Sequence, residues 1–145
     1  MKRAIVLANF VLATAAFGTC SPETLLTGAR AMANNDSTLR VRPALEACFA
    51  DERASEKDRT QAAYLLTLGN EADVLQLREP HLAYLAAHER AWGILVPEAR
   101  LRVRRLIADN AYETARFKEA ERAYGRLRDE SSGDLRDYAV TKLGW

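Results

Sequence analysis

The sequence lacks the short motifs by which most catalytic sites are recognised. No serine lies in a G-x-S-x-G turn, and neither a phosphate-binding loop nor a G-x-G-x-x-G segment occurs among its 145 residues. Its two cysteines, Cys20 and Cys48, are too far apart for a C-x-x-C redox pair. These absences predict a protein that is not an enzyme and that holds no cofactor.

Histidine is also scarce, and its placement argues against a metal site. His81 and His88 are the only two, and on one helix their spacing separates the backbones by about 10.5 Å along the axis. Helical zinc pairs use an i, i+4 spacing, because both nitrogens must approach one ion. We therefore predict no metal site, and we expect both rings to be half-buried beside Leu85 and Trp92.

A strong net charge is missing too, as are β-branched runs beyond residue 20. The formal net charge of +1 does not indicate nucleic-acid binding, which normally requires a strongly basic domain. Alanine, leucine, arginine and glutamate recur instead, and these are strong helix formers. With 48% hydrophobic residues, the chain can bury a core. The composition therefore predicts an all-α protein.

Residues 1–19 have the order of a secretory signal peptide. A positively charged start precedes an apolar run, and small residues that suit a signal peptidase follow from Ala13 to Gly18. The run is shorter than the roughly 20 apolar residues that a membrane span needs. We expect cleavage on export, which leaves residues 20–145 as one helical-repeat domain, periplasmic or secreted, without a membrane span. The alternative is a buried N-terminal helix.

Cys20 admits two interpretations. If it stays in the mature chain in an oxidising compartment, a disulfide with Cys48 is the natural expectation. The segment 17–20 also resembles a bacterial lipobox, which would make Cys20 a lipid-anchored first residue and leave Cys48 as a small buried side chain. The first interpretation predicts a disulfide-stapled domain, and the second predicts an envelope lipoprotein.

Capping residues and prolines predict where the helices begin. Ser21 and Ser55 can cap helix N-termini, the latter with Asp58 in a capping-box position, and proline fits the first helical turn. Asparagine and glycine predict helix ends. The expected starts are Ser21–Pro22, Pro43, Ser55, Pro80, Pro97 and Asp134, and the expected ends include Asn34–Asp36, Gly69–Asn70 and Gly93.

One apolar stripe dominates the C-terminal part of the chain. The segment ARFKEAERAYGRL, residues 115–127, places Phe117, Ala120, Tyr124 and Leu127 on one helix face. The small residue between two aromatic ones predicts that another helix approaches closely at Ala120. The two rings are expected to fill the spaces on either side of that contact.

Similar helix ends recur at intervals of about 36 to 39 residues, a period typical of stacked helix pairs. They are Leu68–Gly69, Ile107–Ala108 and Leu143–Gly144. This period predicts a repeat architecture.

Residues 97–130 resemble a tetratricopeptide repeat. Ile107–Ala108 match its Leu-Gly or Leu-Ala pair, and Phe117 matches the aromatic residue that begins its second helix. Ala120 matches its small mid-helix residue, and Tyr124 its large aromatic one. The resemblance implies a TPR-like α-solenoid of stacked antiparallel helix pairs. The alternative is an irregular helical bundle.

Two positions depart from the repeat pattern. Ala115 stands where a turn glycine is usual, and Leu127 stands where another alanine is usual. No proline closes the unit, which is a further departure from the family pattern.

The same resemblance implies a concave groove lined by the first helix of each pair. Arg102, Arg105, Asp109 and Tyr112 would point into it, and an acidic or carboxylate-bearing segment of another protein would dock there. The Arg105 and Asp109 pair departs from the Lys and Asn pattern of the family's peptide-terminus clamp, so that ligand is not carried over. The alternative is a solvated helix face, neutralised by nearby carboxylates such as Glu98.

Together these features predict an exported bacterial envelope protein that binds another protein, as an assembly or secretion accessory or as an immunity protein against a toxin. One alternative is a lipid-anchored lipoprotein of an outer-membrane assembly machine, which lipid on Cys20 would favour. Another is a small periplasmic enzyme with a dispersed site, which loss of activity on mutating His81 or His88 would favour.

Overall fold

Helices form all the regular structure in the described part of the chain. The computed structural model describes residues 20–33, 38–68 and 75–144, which contain seven α-helices, one 3₁₀ helix and no strand. The predicted signal peptide, residues 1–19, lies outside them. The elements are α1 (Pro22–Ala33), α2 (Thr38–Ala50), α3 (Glu56–Leu66), α4 (Leu75–Ala87), the 3₁₀ helix (Glu89–Ile94), α5 (Pro97–Glu113), α6 (Phe117–Glu130) and α7 (Gly133–Leu143). The all-α prediction is confirmed.

Three predicted helix starts are confirmed. At α1 the Ser21 hydroxyl accepts a hydrogen bond from the backbone N–H of Thr24 at 3.1 Å. At α3 the Ser55 hydroxyl accepts one from the N–H of Asp58, also at 3.1 Å. Pro97 is the first residue of α5, where a helix needs no N–H donor.

Two predicted starts are wrong. α2 begins at Thr38 and not at Pro43, and α4 begins at Leu75 and not at Pro80. In each helix the proline lies in the second turn, where its missing N–H removes one intrahelical hydrogen bond. The other bonds of that turn remain, so each helix extends N-terminally past its proline.

Of the other predicted boundaries, two lie outside the described residues and two are wrong. The expected ends at Asn34–Asp36 and Gly69–Asn70 lie outside the described residues. Gly93 does not end a helix, because it lies inside the 3₁₀ helix. Asp134 is not a cap, because α7 begins one residue earlier at Gly133, whose φ of 57° glycine adopts without strain.

The turn from α5 to α6 is a Schellman motif. The N–H of Arg116 donates to the carbonyl of Ala111 at 2.8 Å, and the N–H of Ala115 donates to that of Tyr112 at 3.0 Å. Ala115 takes a left-handed φ of 59°, which strains a residue with a side chain by about 1–2 kcal/mol. The alanine in the usual glycine position therefore keeps the turn, with strain.

The core consists of three clusters that follow one another along the chain. Each α-helix packs against the α-helices next to it in sequence, and both α1 and the 3₁₀ helix contact α3. The clusters centre on Leu45, Cys48 and Leu66 between α1 and α3, on Leu85, Trp92 and Val103 between α3 and α5, and on Ala120, Tyr124 and Leu127 between α5 and α7.

The apolar stripe of α6 is buried as predicted at three of its four positions. Ala120, Tyr124 and Leu127 are fully buried. Phe117 is 53% exposed and meets the Tyr112 ring edge-on at a centroid distance of 5.8 Å. The prediction that Phe117 fills the space beside Ala120 is wrong, because Phe117 is the first residue of α6 and lies one turn outside the contact.

A disulfide joins Cys20 to Cys48, as the first of the two interpretations of Cys20 expects. Their Cα atoms are 4.3 Å apart, and Cys48 is fully buried in the first cluster. The bond therefore ties the segment just before α1 to α2. Among the described helices none is long and apolar enough to cross a membrane.

Candidate functional site

An open groove runs along α5, the helix that carries the predicted partner-binding residues. It encloses about 580 Å³, with Arg78 of α4 on one side and Leu135 of α7 on another. The α5 residues that line it are Glu98, Leu101, Arg102, Arg105, Leu106 and Asp109. Their spacing of three to four residues puts them on one helix face. Three of the four predicted residues line this α5 groove, and Tyr112 lies one turn further along the same face.

Asp109 is the centre of a hydrogen-bond network that joins α5 to α6 and α7. Its Oδ1 accepts the hydroxyl of Tyr124 at 2.5 Å and that of Tyr138 at 2.7 Å. Nε of Arg105 donates to Oδ2 over a longer 3.4 Å. Burial, and then the hydrogen bond to Asp109, raises the pKa of Tyr124, and the same two causes raise the pKa of Tyr138. Asp109 therefore joins three helices. Both of its carboxylate oxygens accept hydrogen bonds from within the fold.

Cations and aromatic rings alternate beside this network. The guanidinium of Arg105 lies 4.3 Å from the centroid of the Tyr138 ring. The ammonium of Lys142 lies 5.5 Å from the same ring and 4.9 Å from the ring of Tyr112. Such contacts restrict long side chains. Arg105 is thus positioned at the groove edge with 48% of its side chain exposed.

Arg102 lines the α5 groove with a guanidinium that is available to a partner. It is exposed and forms no hydrogen bond or ion pair with any residue that the structure describes. Glu98 lines the same groove without pairing to it. Leu101, Leu106 and Leu135 provide apolar surface. The groove therefore offers an unpaired guanidinium next to a leucine floor.

The neighbouring arginines have partners that the sequence did not indicate. Nε of Arg100 donates to the carbonyl of Leu95 at 2.8 Å. Arg104 forms ion pairs with Glu89 and Glu130. Glu130 is 26 residues away in the chain, and no local spacing signals a contact over that separation. Carboxylates therefore neutralise part of the positive charge of this arginine group. Two of these carboxylates, Glu89 and Glu130, come from helices other than α5.

The two histidines are held by different partners and do not meet. His81 is buried, not half-buried as predicted, with Nε2 3.2 Å from Oε2 of Glu46. His88 donates from Nδ1 to the carbonyl of Tyr84 at 2.8 Å and stacks on that ring at 4.0 Å. Within residues 20–33, 38–68 and 75–144, no three His, Cys, Asp or Glu side chains are grouped to hold a metal ion.

No protein-family model, no curated protein and no solved structure matches the chain.

Proposed function

We propose that the chain is an exported, non-catalytic bacterial envelope protein that binds a segment of another protein in the α5 groove. The occupant presents an acidic residue to Arg102 and an apolar side chain to the leucine floor. The observation that carries this proposal is the unpaired guanidinium of Arg102 beside Leu101 and Leu135 in an open groove of about 580 Å³.

The physical chemistry of the groove favours a carboxylate. Arginine presents a planar fork of N–H donors that fits a carboxylate with two parallel hydrogen bonds. Burying apolar area on the leucines gives a favourable transfer free energy of roughly 25 cal/mol per Å², which the entropy cost of association partly offsets. Arg105 is already held by Asp109 and Tyr138, so less side-chain freedom is lost when the partner binds.

We further propose that the helices form a TPR-like solenoid of stacked antiparallel pairs. Support comes from the sequential packing of the helices and from the fully buried Ala120. In such an arrangement α5 and α7 line one concave side together. The bond from Tyr138 of α7 to Asp109 of α5 fits that placement.

Export into an oxidising compartment is supported by the order of residues 1–19 and by the disulfide between Cys20 and Cys48. The lipid-anchored alternative needs the Cys20 sulfur that this disulfide occupies. The intact mass of the mature protein, measured without reductant, separates the two. A disulfide removes two hydrogens, whereas a lipid adds a diacylglyceryl group.

Site-specific photo-crosslinking tests the proposal. The full chain carries a photoreactive residue at position 102 in one variant and at position 118 in the control, where Lys118 is exposed on α6. We expect one stoichiometric partner at position 102, crosslinked through a segment that contains an acidic residue next to an apolar one. Equal crosslinking at both positions, or none at position 102, contradicts the proposal.

A further inference from the structure

A second cleft lies behind α5, on the side of the helix away from the α5 groove. At 100° per residue, Arg104 lies about 160° around the helix axis from Arg102. The cleft has an outer compartment of about 320 Å³ and an inner compartment of about 90 Å³. Ala86, Ile107 and Glu119 line both, so the two compartments adjoin at these residues. The two together are named the rear cleft.

The floor of the outer compartment is apolar and held in place. It consists of Ala86, Trp92, Ile107 and Ala123. The indole Nε1 of Trp92 donates to the carbonyl of Leu85 at 3.0 Å, which fixes the ring. The two alanines leave the hollow open, because larger side chains at these positions would fill it. The outer compartment is therefore a preformed apolar surface of the kind that binds small molecules.

Ion pairs organise the mouth of this compartment. The guanidinium of Arg104 lies 4.9 Å from the Trp92 ring centroid and is paired with Glu89 and Glu130. Arg126 donates from Nη1 to the same Glu89 at 2.9 Å. The hydrogen bond from Arg104 lowers the pKa of Glu89. This carboxylate consequently stays charged and holds both arginines in position.

Arg122 gives the mouth an uncompensated positive charge. It lines the compartment and has no hydrogen-bond or ion-pair partner in the part of the chain that the structure describes. Glu119 also lines the cleft, but it is paired with Arg116 at 2.9 Å. With Arg104 and Arg126 satisfied by glutamates, an anionic group is the natural complement of Arg122.

The inner compartment contains an unsatisfied buried amide. Asn110 is only 4% exposed, lines this compartment, and its Oδ1 has no hydrogen-bond partner among the described residues. The same side chain also borders a small hollow on the α5 groove side. A buried acceptor without a donor is unfavourable. An O–H or N–H group that reaches the inner compartment would satisfy it.

We propose that the rear cleft binds a small organic carboxylate with an apolar body and a hydrogen-bond donor at its far end. The carboxylate pairs with Arg122 and with the free N–H groups of Arg126. The body lies on Trp92 and Ala123, and the donor bonds to Asn110. A ligand of about ten to twelve non-hydrogen atoms suits these volumes, and ligands of that size bind in the millimolar to high micromolar range. This site does not depend on the α5 groove.

The test follows the Trp92 indole N–H resonance in the ¹⁵N-labelled full chain. The sequence has two tryptophans, so Trp145→Phe leaves Trp92 as the single indole signal. 4-Hydroxyphenylacetate has both polar ends, phenylacetate lacks the hydroxyl, and 4-hydroxyphenethyl alcohol lacks the carboxylate. We expect a saturable shift, with dissociation constants about threefold weaker without the hydroxyl and about tenfold weaker without the carboxylate.

Variants assign the two ends of the ligand. Arg122→Gln should weaken 4-hydroxyphenylacetate about tenfold and leave the alcohol unchanged. Asn110→Leu should abolish the preference for the hydroxyl. Ala123→Leu should fill the hollow and prevent binding of all three probes, whereas Lys118→Gln, which removes one positive charge elsewhere on α6, should change nothing.

No saturable shift with any probe overturns the proposal, as does equal affinity of the wild type and Arg122→Gln. The spectrum itself reports folding of each variant. If Asn110→Leu does not fold, the wild-type comparison of 4-hydroxyphenylacetate with phenylacetate replaces it. Equal affinity for those two probes contradicts the role of Asn110.

Discussion

The two ends of the described helical array are held together by different chemistry. Between α1 and α3 the core is aliphatic and is joined covalently by the disulfide of Cys20 and Cys48. Between α5 and α7 the core consists largely of alanines around Tyr124, and the carboxylate of Asp109 bonds two tyrosines from different helices. The first end is cross-linked by this disulfide, which is called the staple below, whereas the second end depends on a network of hydrogen bonds.

The proposed function would place stability and binding at the same end of the array. The network of Asp109 also fixes Arg105 at the α5 groove. The C-terminal end therefore uses one set of residues both to join its helices and to shape its surface. Perturbing that set should affect stability and partner binding together, while perturbing the staple should affect stability alone.

The largest expected effect is on the C-terminal end. Tyr124→Ala removes a fully buried ring and should lower the free energy of unfolding by about 3–5 kcal/mol. Tyr124→Phe keeps the ring and removes the hydroxyl that bonds to Asp109, which should lower the free energy of unfolding by about 1 kcal/mol. Urea denaturation measures both. Equal losses for the two variants would mean that ring packing contributes little.

The staple gives the next largest effect. Cys20→Ser combined with Cys48→Ala opens a loop that spans 28 residues, which should lower the free energy of unfolding by about 3.5 kcal/mol in the chain-entropy model. Because neighbouring helices pack in sequence, amide hydrogen exchange should accelerate in α1 and α2 and stay unchanged in α6 and α7. Uniform acceleration across the chain would show that the two ends are not separable.

Alkaline pH should weaken the polar network selectively. The pKa values of Tyr124 and Tyr138 are raised by folding, so their contribution is complete below the unfolded tyrosine pKa of about 10. Above it the unfolded chain releases protons that the folded chain keeps, and stability falls by up to about 1.4 kcal/mol per pH unit for each tyrosine. Tyr138→Phe should make this fall shallower in urea titrations between about pH 9 and pH 11. An unchanged slope would contradict the assignment.

The smallest effect concerns the turn that precedes α6. Ala115→Gly should raise the free energy of unfolding by about 1 kcal/mol, because glycine adopts the left-handed φ of 59° without strain. Ala115→Val should act in the opposite direction, since a β-branched side chain is disfavoured there. Thermal unfolding of the two variants measures the difference, and a shift of the same sign in both would exclude backbone strain as its cause.

Local signals in the sequence predicted the features that depend on neighbouring residues. The caps at Ser21 and Ser55 involve donors three residues on, and the buried positions Ala120 and Tyr124 repeat at helical spacing. Pro43 is not a helix start, because α2 continues on its N-terminal side. That continuation depends on all the hydrogen bonds of the helix, and a single proline does not indicate it.

The candidate site was only partly predictable for the same reason. The face shared by Arg102, Arg105 and Asp109 follows from helical periodicity, and they do line one groove. The bond from Tyr138 to Asp109 joins residues 29 positions apart, so no spacing rule indicates it. Such partners, which are distant in sequence, determine which arginine remains unpaired. Sequence spacing alone does not indicate it.

Charge reversal at the α5 groove tests the central claim most directly. The affinity of the photo-crosslinked partner, once purified, is measured for the wild type, for Arg102→Glu and for Lys118→Glu, which make the same charge change at two exposed positions. We expect Arg102→Glu to weaken binding by about 100-fold and Lys118→Glu to leave it within about twofold. Equal affinities for the two variants would contradict the assignment of the α5 groove as the binding surface.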